Sequence, residues 1–134
     1  MKYVTYTIGG TLFATSLENI QEIIKHPTFE DHGNTLVKHV GMINIRDKVI
    51  AVFDGRELLG TDNQDEQEHT ILVCLHEGSA YGIMVDDVHE IIDIESNKIE
   101  AGSTEFMSSE YIKGVHLWNG NVITLLDFSP ILQN

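Results

Sequence analysis

A chain of 134 residues and 15.0 kDa has the length of one ordinary domain, and 42% hydrophobic with 22% charged residues describes a folded globule, not a disordered chain. Eight basic against 21 acidic residues give a formal net charge of -13, which repels nucleic acid and anionic lipid alike; no nucleic-acid binding and no direct membrane insertion are expected, and partners should be proteins or small molecules. The single Cys74 cannot pair within the chain, Met1 leads into an alternating strand with no basic or apolar leader, and no apolar run reaches membrane-spanning length, so a reducing cytoplasm is the expected location.

Strands over residues 3–8, which alternate, and 11–16 flank Gly9-Gly10, a pair that supplies the positive backbone angles of a tight hairpin. Leu17-Glu18-Asn19 is expected to make one helical turn capped by Ser16. Residues 20–25 then read as a strand, because β-branched crowding and the nearby Pro27 disfavour a helix, and alternation puts Ile20, Glu22 and Ile24 on one face. A polar loop over 27–36 precedes a central hairpin with strands at 42–46 and 49–53, turning at Asp47-Lys48 and stopped at Asp54. A short helix at 56–59 and an acidic linker, DNQDEQE at 62–68, follow; nothing in the linker has the spacing of a calcium loop.

The second half repeats this plan. Residues 3–24 align without a gap on 71–92 at an offset of 68, with Gly10 on Gly78 and Glu22-Ile23-Ile24 on Glu90-Ile91-Ile92. At an offset of 73, Gly41 falls on Gly114, Asp54 on Asp127 and Leu59 on Leu132. The predicted strands are 70–75, 80–84, 88–94, 111–118 and 122–126, with a helical turn at 130–132 and a long loop at 95–110 carrying the apolar pair Phe106-Met107. The chain is therefore expected to be mainly β, with two pseudo-symmetric five-stranded barrels packed together and short helical turns: a first barrel over about 1–60, a linker at 61–68 and a second barrel over about 69–134. Halves this small bury too little surface to stand alone, so they should share apolar surface and leave a groove between them for a partner.

Catalytic signals are sparse. Asp54 and Asp127, one per half, invite comparison with an aspartate dyad and hence a hydrolase, but Asp54 is followed by Gly-Arg and Asp127 by Phe-Ser instead of a small hydroxyl residue and a glycine. Capping of a helical turn by each carboxylate is the preferred reading. The seven histidines show no HExxH and no i,i+4 pair, so neither a metal nor any other cofactor is expected, and no catalytic residue is assigned. Arg46, one of eight basic residues, ends an otherwise apolar strand and suggests an ion pair or a recognition contact.

Taken in order and spacing, YVTYTIGGTLFAT, LENIQEII, VGMINIRDKVIAVFD, YGIMVDDVHEII and YIKGV resemble the CheW family of chemotaxis coupling proteins over nearly the whole chain. The resemblance implies two intertwined five-stranded SH3-like barrels and a non-enzymatic cytoplasmic adaptor. Such an adaptor links the tips of methyl-accepting chemotaxis receptors to the regulatory domain of the CheA histidine kinase in a two-component signalling array. Carried over position by position, it implies a receptor-binding groove at Ile20, Glu22, Gly41, Arg46 and Ile71, and it assigns no kinase-contact residues. The family usually has glycine at Asp47, proline at Ala51, isoleucine-proline at Thr15-Ser16 and leucine at Gly55, departures that leave open a specialised paralogue serving another motility pathway.

Overall fold

Ten strands, three 3-10 turns and one short α-helix form the regular structure of residues 1–25, 39–60, 69–101 and 110–133, the portion described in this computed structural model. In chain order the strands are β1 (Lys2–Ile8), β2 (Thr11–Ser16), β3 (Ile20–Lys25), β4 (His39–Ile45) and β5 (Lys48–Asp54), then α1 (Gly55–Leu59). There follow β6 (Thr70–His76), β7 (Ser79–Val85), β8 (Asp87–Asp93), β9 (Ile112–Trp118) and β10 (Asn121–Leu126). The expected polar loop at 27–36, the acidic linker and the Phe106-Met107 pair lie outside the described residues.

Four hairpins, β1–β2, β4–β5, β6–β7 and β9–β10, are closed by two-residue turns at Gly9-Gly10, Arg46-Asp47, Glu77-Gly78 and Asn119-Gly120. Both central residues of every turn have positive φ, the arrangement of a type I′ turn, whose twist matches that of the strands it joins. The duplication seen in the sequence thus extends to backbone geometry. It also corrects the central hairpin: the turn is Arg46-Asp47, not Asp47-Lys48, because Ile45 pairs directly with Lys48. Arg46 belongs to the turn itself.

The strands form two five-stranded sheets, ordered β8-β1-β2-β10-β9 and β3-β6-β7-β5-β4. Each takes strands from both halves of the sequence, so the sheets do not coincide with a first barrel over about 1–60 and a second over about 69–134. The exchange runs through two parallel contacts: β2 beside β10, with Phe13 opposite Thr124, and β5 beside β7, with Phe53 opposite Ile83. The two outer edges of each sheet are joined by a contact outside the strand ladder. In the first, a 3-10 turn at Ser96–Lys98 carries the chain from β8 to Glu100, which exchanges two backbone hydrogen bonds of 2.9 and 2.8 Å with Val115 in β9. A side chain at Gly114 would strike Ile99 Cγ2 at 2.6 Å and the Glu100 carbonyl oxygen at 2.8 Å, so that closure requires glycine.

Three apolar cores follow from this arrangement. Tyr3, Ile92, Ile94, Ile123 and Leu125 fill one curled sheet, and Ile43, Ile50, Val52, Ile71, Val73 and Met84 fill the other. The third lies between the sheets and combines Tyr6, Ile8, Phe13 and Leu126 from one with Leu72, Cys74, Tyr81 and Ile83 from the other. Strand β6 is buried on both faces, Ile71 and Val73 pointing into a barrel and Leu72 and Cys74 into the seam, which is why its sequence is a continuous apolar run. At roughly 1.5–3 kcal/mol per buried large side chain, losing the shared core would unfold either half.

A buried ion pair crosses the same seam. Arg56, in α1, places Nε and Nη2 each 2.9 Å from Asp86 Oδ1, while Asp86 Oδ2 accepts the Gly9 N–H at 2.8 Å. The helix beside one sheet is thereby tied to the hairpin turn of the other. The pseudo-equivalent positions, by the same offsets, are Ser129 and Glu18, which have no such chemistry.

Candidate functional site

The expected groove residues lie on the sheet ordered β3-β6-β7-β5-β4. Strand β3 alternates as its sequence predicts, with Ile20, Glu22 and Ile24 half-buried and Gln21, Ile23 and Lys25 exposed. A bulge between Ile20 and Glu22 lets the two apolar residues serve different cores, Ile20 against the seam between sheets and Ile24 inside the barrel. Glu22 stands between them. Its Oε1 is buried and accepts no hydrogen bond among the described residues.

Arg46 reaches it from the opposite edge. Although β3 and β4 are the outermost strands of the sheet, the β4–β5 turn brings Arg46 Nη2 to 3.9 Å from Glu22 Oε1. The guanidinium is 73% exposed, so this pair is a solvent-facing closure contributing at most about 1 kcal/mol. Its backbone is strained: φ is 52° at Arg46 and 66° at Asp47, and an L-residue in that region costs roughly 1–2 kcal/mol. Two consecutive side-chain-bearing residues are held there where glycine would relax the turn.

Gly41 sits half-buried in β4 opposite Val52. Ile71 is fully buried, paired with Ile24 and Met84, so it presents no surface to a partner and supports the face carrying Glu22 from within. The structure thus brings Glu22 and Arg46 together at the edge seam, leaves Ile20 nearby on β3, and withdraws Ile71 into the core.

The two aspartates are committed to local backbone. Asp54 Oδ1 accepts the Arg56 N–H at 3.0 Å and opens α1, and Asp127 Oδ1 accepts the Ser129 N–H at 2.9 Å. Each does what its position at a strand end dictates. Ser16, expected to cap the turn at 17–19, does not; its Oγ is buried without a hydrogen bond among the described residues, because backbone pairing alone holds that turn. Cys74 is buried, and burial pushes its thiol up to about 12, far from a reactive thiolate. Among the described residues no group of three or more His, Cys, Asp or Glu is placed to hold a metal, and no helix is long and apolar enough to cross a membrane.

The chain resembles known proteins along its length. Residues 2–134 match the family model described as the CheW-like domain. Proteins named Chemotaxis protein CheW are similar at 22% identity in Klebsiella aerogenes, covering 99% of this chain and 82% of that one, and at 22% in Thermotoga maritima, covering 97% and 86%. The one from Helicobacter pylori is 24% identical over 99% of this chain and 82% of its own. Among solved structures, the scaffolding protein TtCheW from Thermoanaerobacter tengcongensis superposes with a TM-score of 0.86 at 23% identity, covering 95% of this chain and 84% of that one.

Proposed function

This chain belongs to the CheW-like domain family, and on that premise we propose that it is a non-enzymatic chemotaxis adaptor. It couples methyl-accepting chemotaxis receptors to the regulatory domain of a CheA-type histidine kinase in a two-component array, and it works in the cytoplasm. The observation that carries the receptor half of this reading is the Glu22–Arg46 pair. A strained, exposed arginine faces a carboxylate whose inner oxygen lacks a hydrogen bond among the described residues, near the apolar Ile20.

In this reading a helical receptor tip lays an apolar stripe against Ile20, passes close to the backbone at Gly41, and exchanges polar contacts with Glu22 and Arg46, while Ile71 stiffens the strand behind them. The test is a pull-down with a receptor signalling-tip fragment and a kinase regulatory domain encoded in the same genome, offered separately and together. Binary complexes with each and one complex containing all three are expected. Capture of neither would overturn the assignment.

A further inference from the structure

Three of the four hairpin turns place glycine second, Gly10, Gly78 and Gly120, with φ of 81°, 83° and 82°. The fourth has Asp47 there, at φ 66°. Aspartate tolerates this conformation when its carboxylate bonds neighbouring backbone, and such a bond would explain it. Asp47 makes none: among the described residues its exposed carboxylate has neither a hydrogen bond nor an ion pair, although Arg46 and Lys48 flank it in sequence. It is also one of the 21 acidic residues behind the net charge of -13. Among the described residues the turn therefore bears a positive-φ aspartate whose exposed carboxylate has no protein partner, at the tip of the one hairpin whose arginine reaches across the candidate groove.

We propose that Asp47 is a specificity-determining residue of that groove, reading a basic side chain on the helical partner next to the group that Arg46 engages. The inference rests on the receptor-adaptor reading and narrows it: the partner tip carries a lysine or arginine facing this turn. The charge pattern Arg46, Asp47, Lys48 alternates in sign along the turn, so a partner presenting acid and base one helical turn apart fits it, and one presenting acids alone is disfavoured.

Titration of a receptor signalling-tip fragment from the same genome onto the wild-type protein, Asp47→Asn and Asp47→Gly tests this. Asparagine keeps the local geometry without the charge, and glycine relaxes the turn as well. Both variants are expected to melt no lower than wild type, to bind the tip about five- to tenfold more weakly, and to show a shallower loss of affinity with salt. Changing the facing basic residue of the tip to alanine should weaken wild-type binding and leave Asp47→Asn binding unchanged. Equal affinity and equal salt dependence for all three proteins would leave Asp47 a plain turn residue and overturn the proposal. If the wild-type protein fails to bind the tip at all, the adaptor reading itself falls, an outcome separable because it precedes any comparison of variants.

Discussion

Glu22 and Arg46 come from the two outermost strands of one sheet, yet Oε1 and Nη2 lie 3.9 Å apart. Only a sheet curled on itself allows this, so the pair reports barrel closure and candidate recognition chemistry together. Arg46→Glu sets two carboxylates against each other at the seam. The expected result is receptor-tip binding weakened about tenfold or more, with the circular dichroism spectrum kept, because an exposed pair contributes little to folding. Titration calorimetry alongside thermal melts checks both halves; unaltered binding would remove Arg46 from the site.

The Arg56–Asp86 pair has the opposite balance. Arg56 is buried, and deleting either partner removes a charge-assisted pair that is largely shielded from water. Arg56→Ala or Asp86→Ala should cost about 3 kcal/mol or more, seen as an earlier urea midpoint. The double variant should cost less than the sum of the singles, since the same pair is broken only once. Additive losses would show that the two residues act separately.

Gly114→Ala should destabilise by roughly 1–3 kcal/mol, because the added methyl meets a backbone carbonyl that holds the Glu100–Val115 closure and cannot swing aside. Amide exchange would show the loss first at Glu100 and Val115. Gly78→Ala has open space around the methyl and pays only for its φ of 83°, a cost of about 1–2 kcal/mol without faster exchange at the closure.

Alkaline pH should unfold the protein through its seam. Burial pushes the Cys74 thiol from 9.0 up to about 12, and raises Tyr6 and Tyr81 above their usual 10.0. Between about pH 9 and 12 the unfolded chain releases a thiol proton that the folded chain retains. The stabilisation is thus complete below pH 9 and declines above it, on the order of 1 kcal/mol per pH unit, with the tyrosines adding to the slope above 10. Urea midpoints measured from pH 8 to 11 should fall, and Cys74→Val should flatten the portion that begins near 9. Persistence of the full slope in that variant would place its origin elsewhere.

The duplication was readable because the same residues recur at fixed offsets, and those positions carry turns, caps and strand ends that depend on local chemistry. Gly9-Gly10, Asp54 and Asp127 behave as their neighbours in sequence imply. Partnership between strands was not readable. Nothing in 1–25 says that β1 and β2 will pair with β8 and β10, since alternation specifies a buried face and not what covers it. The inward orientation of Ile71 was not readable for the same reason: in a run apolar at every position, only the fold decides which residues face a barrel interior. The Arg56–Asp86 pair stayed hidden because 30 residues separate two ordinary surface-type side chains, and the one available hint was the absence of a counterpart at Glu18 and Ser129.

Strand exchange has a cost in time. The bond from Thr15 to the Leu126 carbonyl spans 111 residues, and β1 and β2 leave the ribosome long before β8, β9 and β10 exist to receive them. The middle of the chain, by contrast, holds β3 through β7 and can assemble its sheet while the tail is still being made. Synthesis should therefore pass through a species in which the middle strands have begun to pair while the amino-terminal hairpin still lacks β8 and β10, and the bare apolar face of that hairpin is the part most in need of a chaperone.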